Sequence, residues 1–254
     1  MVIYWNLVNR VIDEAEILLL VIDARMPDDT RHREIESKVL QRGKVLLYVL
    51  NKCDLVEKHV IEALKKEFNP AVFVSSKQRL GGTILFKKIM EISKGKNCVV
   101  GVLGYPNVGK SSVINLLKGE KAAPVSPTSG YTKSIQFVRA KGKIKLIDTP
   151  GVLPFDDADL FKKVLVGSKN PEHLKEPEMF AMLLIEKFPD MFSRYYDLKY
   201  EGDAYDFVDA AAQKRRILSK GGSSDIPRFS RQLLYDWQRG RVHEFNLSTH
   251  QKSS

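Results

Sequence analysis

The chain has 254 residues, of which 43% are hydrophobic and 28% charged, a composition typical of a globular protein with a sizeable core. Its longest apolar run, residues 17–22, is much shorter than the roughly 18 residues of a membrane helix, and the N-terminus lacks a secretory signal pattern. The two cysteines and five widely spaced histidines indicate neither a disulfide framework nor a zinc site, so we expect a cytoplasmic protein.

The net charge of +10 is unevenly distributed along the chain. Residues 1–158 carry +8, residues 159–209 carry −4 and residues 210–254 carry +6. A basic excess favours a polyanionic partner such as RNA, although a solvated basic surface that binds nothing has the same composition.

Up to about residue 150, apolar segments of strand length alternate with segments of helical period. This alternation predicts an α/β sheet with helices on both faces. The predicted strands are residues 17–23, 45–50, 71–74, 97–103, 134–139 and 143–147, of which the last two form a hairpin. The predicted helices are residues 2–11, 31–41, 59–68, 82–94 and 110–117.

No convincing strand is predicted after residue 155. Helical patterns cover residues 178–188, 205–218 and 229–239, and the intervening loops are marked by Pro171, Pro177, Pro189 and the Gly221-Gly222 pair. We therefore predict an α/β domain of residues 1–158, followed by a smaller all-helical domain of residues 159–254.

The segment Gly104-Tyr-Pro-Asn-Val-Gly-Lys-Ser111 fits the P-loop pattern and lies between a predicted strand and a predicted helix. Its glycines let successive backbone N–H groups converge on phosphate oxygens, and the N-terminus of the next helix adds a fixed attraction for anions. Lys110 can bind the β- and γ-phosphates as a point charge, and the Ser111 hydroxyl can bind Mg²⁺. The pattern predicts a doubly wound P-loop NTPase domain with phosphate contacts from Asn107, Val108, Gly109, Lys110, Ser111 and Ser112.

The segment Asp148-Thr-Pro-Gly151 follows the last predicted strand. A carboxylate at this position can hold Mg²⁺ through water, and the glycine then lies near the γ-phosphate. The polar loop of residues 128–132 can supply a threonine to the same ion, for which Thr132 is the first choice and Thr128 the alternative. The predicted Mg²⁺ ligands are Ser111, Thr132 and Asp148, and the predicted catalytic residues are Lys110, Thr132 and Gly151.

A P-loop does not distinguish ATP from GTP, but Asn51-Lys-Cys-Asp54 does. The Asp54 carboxylate can accept two hydrogen bonds from the N1–H and 2-amino groups of guanine, which adenine does not offer. Asn51 can bond guanine N7, and the Lys52 stem can cover the ring. Ser75-Ser-Lys77 follows the next strand as a second base loop, with the Ser76 N–H facing guanine O6. GTP or GDP is therefore the predicted ligand of Asn51, Lys52, Asp54, Ser75, Ser76 and Lys77.

These segments resemble those of Ras-like GTPases, except that the base segments precede the P-loop. Together with Asp23-Ala-Arg-Met-Pro27, this order is similar to the circularly permuted YlqF/YawG family, whose members include RbgA-type ribosome-assembly GTPases. The resemblance extends into residues 210–222 and 231–242, which are similar to the family's helical C-terminal domain. It implies GTP hydrolysis and a large ribosomal subunit or rRNA partner. We expect no membrane partner, no DNA partner and a monomeric protein.

Val152 occupies the position where Ras-like enzymes carry the glutamine that orients the attacking water. The family resemblance implies slow hydrolysis that is stimulated by a partner and by a monovalent cation. Asn107 matches the P-loop asparagine that is associated with K⁺ in related GTPases, although an asparagine also suits a left-handed turn.

The residues from 214 onward suggest an RNA-binding surface, or alternatively a solvated basic face. Tyr235 and Trp237 either stack on bases or belong to the core. The basic residues of this region are Lys214, Arg215, Arg216, Lys220, Arg228, Arg231, Arg239 and Arg241. Two other functions stay open: a nucleotide-gated RNA-binding protein with negligible hydrolysis, and an ATP-dependent enzyme, against which Asp54 argues.

Overall fold

The structure is a computed structural model, and it describes residues 2–119, 136–140, 142–148 and 159–243. The strands are β1 (Ile17–Asp23), β2 (Val45–Asn51), β3 (Ala71–Phe73), β4 (Cys98–Leu103), β5 (Gln136–Arg139) and β6 (Ile144–Asp148). The helices before residue 120 are α1 (Val2–Glu14), α2 (Pro27–Thr30), α3 (Arg33–Gln41), α4 (Lys58–Glu67), α5 (Gly82–Ile92) and α6 (Lys110–Lys118). After residue 158 follow α7 (Leu160–Leu165), α8 (Pro177–Lys187), α9 (Pro189–Tyr196), α10 (Ala204–Lys214) and α11 (Ile226–Gln238).

The six strands form one sheet in the order β3-β2-β1-β4-β6-β5. All neighbouring pairs are parallel except β5 and β6, which pair antiparallel as the predicted hairpin. The α/β fold class and the hairpin are thus confirmed. Parallel strands end at the same edge of a sheet, so the segments that follow β1, β2, β3, β4 and β6 all start from one edge.

The centre of the sheet is apolar on both faces, as expected for parallel strands covered by helices. Every residue of β1 is buried. A side chain at Gly101 of β4 would come within 2.8 Å of Leu18 in β1 and of Val11 in α1, so glycine allows α1 to approach the strand closely.

The chain divides into two compact units. The first, which we call the α/β unit, comprises Met1–Asp54 and Lys58–Asp157, and the second, the helical unit, comprises Leu55–Glu57 and Ala158–Ser254. Within the helical unit the Arg194 guanidinium donates to the Glu57 carboxylate.

The helical unit has an aromatic core. Trp237 of α11 is fully buried, stacks on Phe188 at 4.7 Å between ring centroids, and donates from Nε1 to the Leu165 carbonyl at 2.8 Å. The tryptophan therefore belongs to the core and does not stack on RNA bases. Tyr235 instead donates from its hydroxyl to Asn170 Oδ1 at 2.7 Å and lies under Arg239.

Two sequence predictions in this unit are wrong. Pro177 and Pro189 do not mark loops but stand in the first turns of α8 and α9, where a missing N–H costs nothing and the fixed φ suits a helix. The helix predicted over residues 205–218 ends at Lys214, because the chain turns left-handed at Arg216, with φ 56°. Among the described residues, no helix combines the length and apolarity needed to cross a bilayer.

Candidate nucleotide-binding site

The P-loop connects β4 to α6, and both of its motif glycines have positive φ. A Cβ at Gly104 would lie 2.5 Å from the Val21 carbonyl oxygen of β1, and one at Gly109 would lie 2.1 Å from Asn51 Nδ2. No side chain fits at either position without displacing these atoms. Asn107 lies between them with φ 59°, so its left-handed turn geometry is present.

Lys110, the first residue of α6, is only 6% exposed. Its Nζ donates to the carbonyl oxygens of Gly104 and Tyr105, at 2.8 and 2.7 Å. The ammonium group is therefore held at the start of the P-loop, as a cation at the N-terminal end of the helix. Ser111 is exposed and Ser112 half-buried in the first turn of α6, while Val108 is buried.

Asn51, at the end of β2, connects three predicted site segments. Its Nδ2 donates to the Val108 carbonyl oxygen of the P-loop at 2.8 Å, and its Oδ1 accepts from the Ser76 N–H at 3.1 Å. Side-chain amides that bond backbone on both sides fix two loops relative to each other. The base segments, which come early in the chain, therefore lie next to the P-loop, which comes later, as the predicted circular permutation requires.

The two base loops keep a compact backbone. Asp54 lies in a short 3₁₀ turn, Cys53–Leu55, which begins two residues after the end of β2, and the Cys53 N–H donates to the Val74 carbonyl. Ser75 is buried and exchanges backbone hydrogen bonds with Leu80, while Lys77 is exposed. The Ser76 N–H, predicted to face guanine O6, donates to Asn51 in this structure.

A buried ionic cluster lies beside Asn51. Asp23, the last residue of β1, accepts from Arg25 Nη2 at 2.9 Å and from Lys52 Nζ at 2.7 Å. Burial raises the pKa of the Asp23 carboxyl, but the two cations outweigh it and hold this pKa well below its ordinary value. For Lys52 the effect of burial has the opposite sign: burial lowers the pKa of its ammonium group, and the charge of Asp23 partly opposes this lowering.

In the sequence, Asp23 and Arg25 stand out only as part of a family pattern, which does not reveal the contact of Asp23 with Lys52. A signal was present: Asp23 is a carboxylate at the end of an otherwise wholly apolar strand, and such a group needs cationic partners.

The predicted Mg²⁺ side of the site is described only in part. Asp148 is the last residue of β6, and β6 pairs in parallel with β4 through Gly101 and Ile147, so its backbone lies at the strand edge from which the P-loop starts. A serine hydroxyl and a carboxylate are hard oxygen ligands of the kind that Mg²⁺ prefers, so the residue types of Ser111 and Asp148 fit this ion. Thr128, Thr132, Gly151, Val152 and the Asp148 side chain lie outside the described residues.

The chain is similar in sequence to known GTP-binding proteins. A family model described as "50S ribosome-binding GTPase" matches residues 99–188. The uncharacterized GTP-binding protein MJ1464 of Methanocaldococcus jannaschii is 39% identical over 95% of this chain. Nucleolar GTP-binding protein 2 of Saccharomyces cerevisiae is 34% identical over 96% of it. The chain spans 66% of the first relative's length and 53% of the second's.

Two solved structures match almost the whole chain. The GDP-bound structure of TM YlqF has a TM-score of 0.68 at 26% identity, and the match covers 93% of this chain and 95% of that one. GNP-bound YlqF from T. maritima has a TM-score of 0.64 at 23% identity, with 94% and 95% covered, a similarity that concerns the fold.

Proposed function

Because the chain belongs to the family of circularly permuted GTPases that includes YlqF, we propose that it binds GTP with Mg²⁺ and hydrolyses it to GDP and phosphate. The observation that carries the proposal is the Asn51 side chain, which bonds the P-loop at Val108 and the second base loop at Ser76. A nucleotide suits this arrangement, because its phosphates can bind the P-loop while its base lies against the two strand-end loops.

In this proposal Asp54 reads guanine through its N1–H and 2-amino groups, while the Lys52 stem covers the ring. Residues Ser75–Lys77 close the base side, and Asn107 to Ser112 bind the phosphates. Lys110 neutralises the β- and γ-phosphates, and it would exchange its two carbonyl partners for phosphate oxygens. Ser111, Asp148 and Thr132 would hold Mg²⁺, which would supply positive charge beside the phosphates, and Gly151 would lie near the γ-phosphate.

Intrinsic hydrolysis is proposed to be slow, since Val152 has no group that could orient a water. A partner and K⁺ would then supply what the chain lacks. The left-handed backbone of Asn107 is compatible with a turn role alone, so the K⁺ part of the proposal rests on residue type.

The proposed partner is the large ribosomal subunit, contacted through rRNA by the helical domain (159–254) while the GTPase domain (1–158) binds nucleotide. The matched family is described as ribosome-binding, relatives of the chain are named nucleolar GTP-binding proteins, and residues 210–254 carry +6. We propose that the protein acts in subunit assembly as a cytoplasmic monomer whose RNA binding depends on the bound nucleotide.

The base assignment is tested by replacing Asp54 with asparagine. The amide donates where the carboxylate accepted, so Asp54→Asn should lose GDP affinity at least about 100-fold and gain xanthosine diphosphate affinity. A variant that still prefers GDP would contradict the assignment.

Co-sedimentation with large ribosomal subunits in GDP, GTP and a non-hydrolysable GTP analogue tests the partner. Binding that is equal in all three states contradicts the nucleotide switch.

Turnover measured with added subunits separates a GTPase from the second candidate, a nucleotide-gated RNA-binding protein, which the apolar Val152 favours. Equal turnover in K⁺ and Na⁺ would remove the K⁺ role of Asn107.

A further inference from the structure

We propose that Asp23 is a positioning residue for the base site, which anchors the ammonium of Lys52 so that the lysine stem is held in place over the purine ring. This inference rests on the proposed guanine-nucleotide binding, and it gives a role to a buried carboxylate that touches neither phosphate nor base. The ligand class concerned is any purine nucleotide that enters the site.

The anchor is rigid because its carboxylate is held from several sides. Arg25 donates to Asp23 Oδ1 from Nε and from its backbone N–H, both at 3.1 Å, and to Oδ2 from Nη2 at 2.9 Å. The Asp23 backbone N–H donates to Thr30 Oγ1 at 3.1 Å. The side chains of Asp23 and Arg25 are at most 1% exposed, so neither can swing into solvent.

Lys52 is the member of this cluster that faces outward. Its side chain is 21% exposed, and its Nζ lies 2.7 Å from Asp23 Oδ2. The residue has φ 62°, a left-handed conformation that is uncommon for residues other than glycine. With the backbone fixed at one end and Nζ at the other, the four-carbon stem between them has a defined position.

The stem of an unanchored lysine would not have a defined position. Its side chain has rotamer entropy to lose, and binding a purine would have to order it. Asp23 removes that cost in advance, because the ion pair already orders the stem. Register places Asp23 of β1 beside Asn51, the last residue of β2, and Lys52 follows Asn51 directly, so Asp23 and Lys52 lie at the ends of adjacent strands.

The role of Arg25 in this cluster is to support the Asp23 carboxylate. Asp23 accepts from both cations: Arg25 braces the carboxylate, and Lys52 donates to Oδ2. Removing Arg25 keeps the ion pair of Asp23 and Lys52, whereas removing Asp23 alone would leave the buried guanidinium of Arg25 without its carboxylate and destabilise the protein. The test therefore removes Asp23 together with Arg25.

The experiment measures GDP and IDP affinity by titration calorimetry in Mg²⁺ buffer, with thermal melts of each variant. We expect Lys52→Met to lose about tenfold for both nucleotides, because the stem packs on the ring and does not read the 2-amino group. The double variant Asp23→Asn/Arg25→Met should lose a similar factor, and Arg25→Met should stay within about twofold of wild type. Adding Lys52→Met to the double variant should cost nothing more, because both changes remove one interaction.

Several results would overturn the proposal. Losses that multiply in the triple variant mean that Asp23 does not act through Lys52. An Arg25→Met loss equal to that of the double variant means that the cluster is merely structural. A loss confined to GDP, with IDP unaffected, means that Asp54 has been displaced instead.

A second comparison does not require the double variant to fold. Lys52→Arg keeps both an apolar stem and a cation for Asp23, so it should stay within about threefold of wild type while Lys52→Met loses tenfold. Equal affinity of Lys52→Met and wild type would exclude anchoring. If wild-type protein binds no GDP, the proposed function itself fails. If it binds GDP and the losses of Lys52→Met and of the double variant multiply in the triple variant, only the role of Asp23 fails.

Discussion

The α/β unit and the helical unit bury different kinds of side chain. Buried polar and charged residues in the described part of the α/β unit stand mostly at strand ends and loops: Asp23, Arg25, Thr30, Glu36, Asn51, Ser75 and Lys110. In the described part of the helical unit they are Ser230 and Asp236, while the core is made of rings such as Trp237, Phe192 and Phe229.

The difference follows from what each unit has to present. In the α/β unit the buried polar groups hold loops and cations at one edge of the sheet, where a ligand with charges and a flat base can use them. In the helical unit, packed aromatic rings form much of the core, and Ser230 and Asp236 are the buried polar residues of its described part. Each of the following experiments damages one kind of interior and leaves the other intact.

The largest expected effect is on the aromatic core. Trp237→Ala removes a fully buried ring and leaves the Leu165 carbonyl without its donor, so the free energy of unfolding should fall by about 3–5 kcal/mol. Urea denaturation measures this loss, and GDP affinity should change less than about twofold. Tyr205→Ala is the control, because this side chain is 54% exposed, and its free energy of unfolding should fall by less than about 0.5 kcal/mol. A Trp237→Ala variant that loses GDP binding while still folded would mean that the two interiors are not independent.

The next largest effect is on the close contact between P-loop and base loop. Gly109→Ala places a Cβ 2.1 Å from Asn51 Nδ2, and we expect GDP affinity to fall about 100-fold, or about 2.7 kcal/mol. Gly202 shares the same φ of 101° but has nothing within 4 Å of its Cβ position, so Gly202→Ala isolates backbone strain from the clash. Near-normal GDP binding by Gly109→Ala would show that Asn51 can move without cost.

An intermediate effect is expected at acid pH. Because the folded-state pKa of Asp23 lies below its ordinary value of 3.8, the stabilisation by this carboxylate is complete above that value and is lost as pH falls below it. Urea titrations of wild type should therefore show stability declining below pH 3.8. In Asp23→Asn/Arg25→Met the decline should be shallower, and identical slopes for the two proteins would mean that Asp23 does not contribute.

The smallest effect concerns a hydroxyl in the helical unit. The Tyr196 hydroxyl is buried without a hydrogen-bond partner among the described residues, and burial holds its pKa well above the ordinary value. Tyr196→Phe should therefore be neutral or stabilise by up to about 1 kcal/mol. Because a raised pKa favours the neutral tyrosine, its stabilisation is present below pH 10.0 and is lost as pH rises further, so the variant should resist alkaline unfolding better. Thermal melts at neutral and alkaline pH check both, and a destabilised variant would point to a partner for the hydroxyl.

The interior strands of the sheet were predictable because each is a nearly continuous apolar run, and the errors there amount to a residue or two at the ends. In the helical unit α7 and α9 escaped prediction, since Leu160–Leu165 is too short for a clear period and the proline of α9 was read as a loop marker. Both errors have the same cause. A proline or a short apolar run is compatible with a loop and with a helix, and tertiary packing decides which of the two forms.

By its own residues the chain determines a P-loop, a guanine-type tetrapeptide and an order in which the second precedes the first. These depend on local chemistry, since the backbone freedom of a glycine and the acceptor oxygens of a carboxylate are the same in any context. The tertiary structure alone decided that Asn51 bonds Val108 and that Asp23 bonds Lys52. Those contacts join residues 57 and 29 positions apart, and only the pairing of parallel strands brings such distant positions to one edge of the sheet.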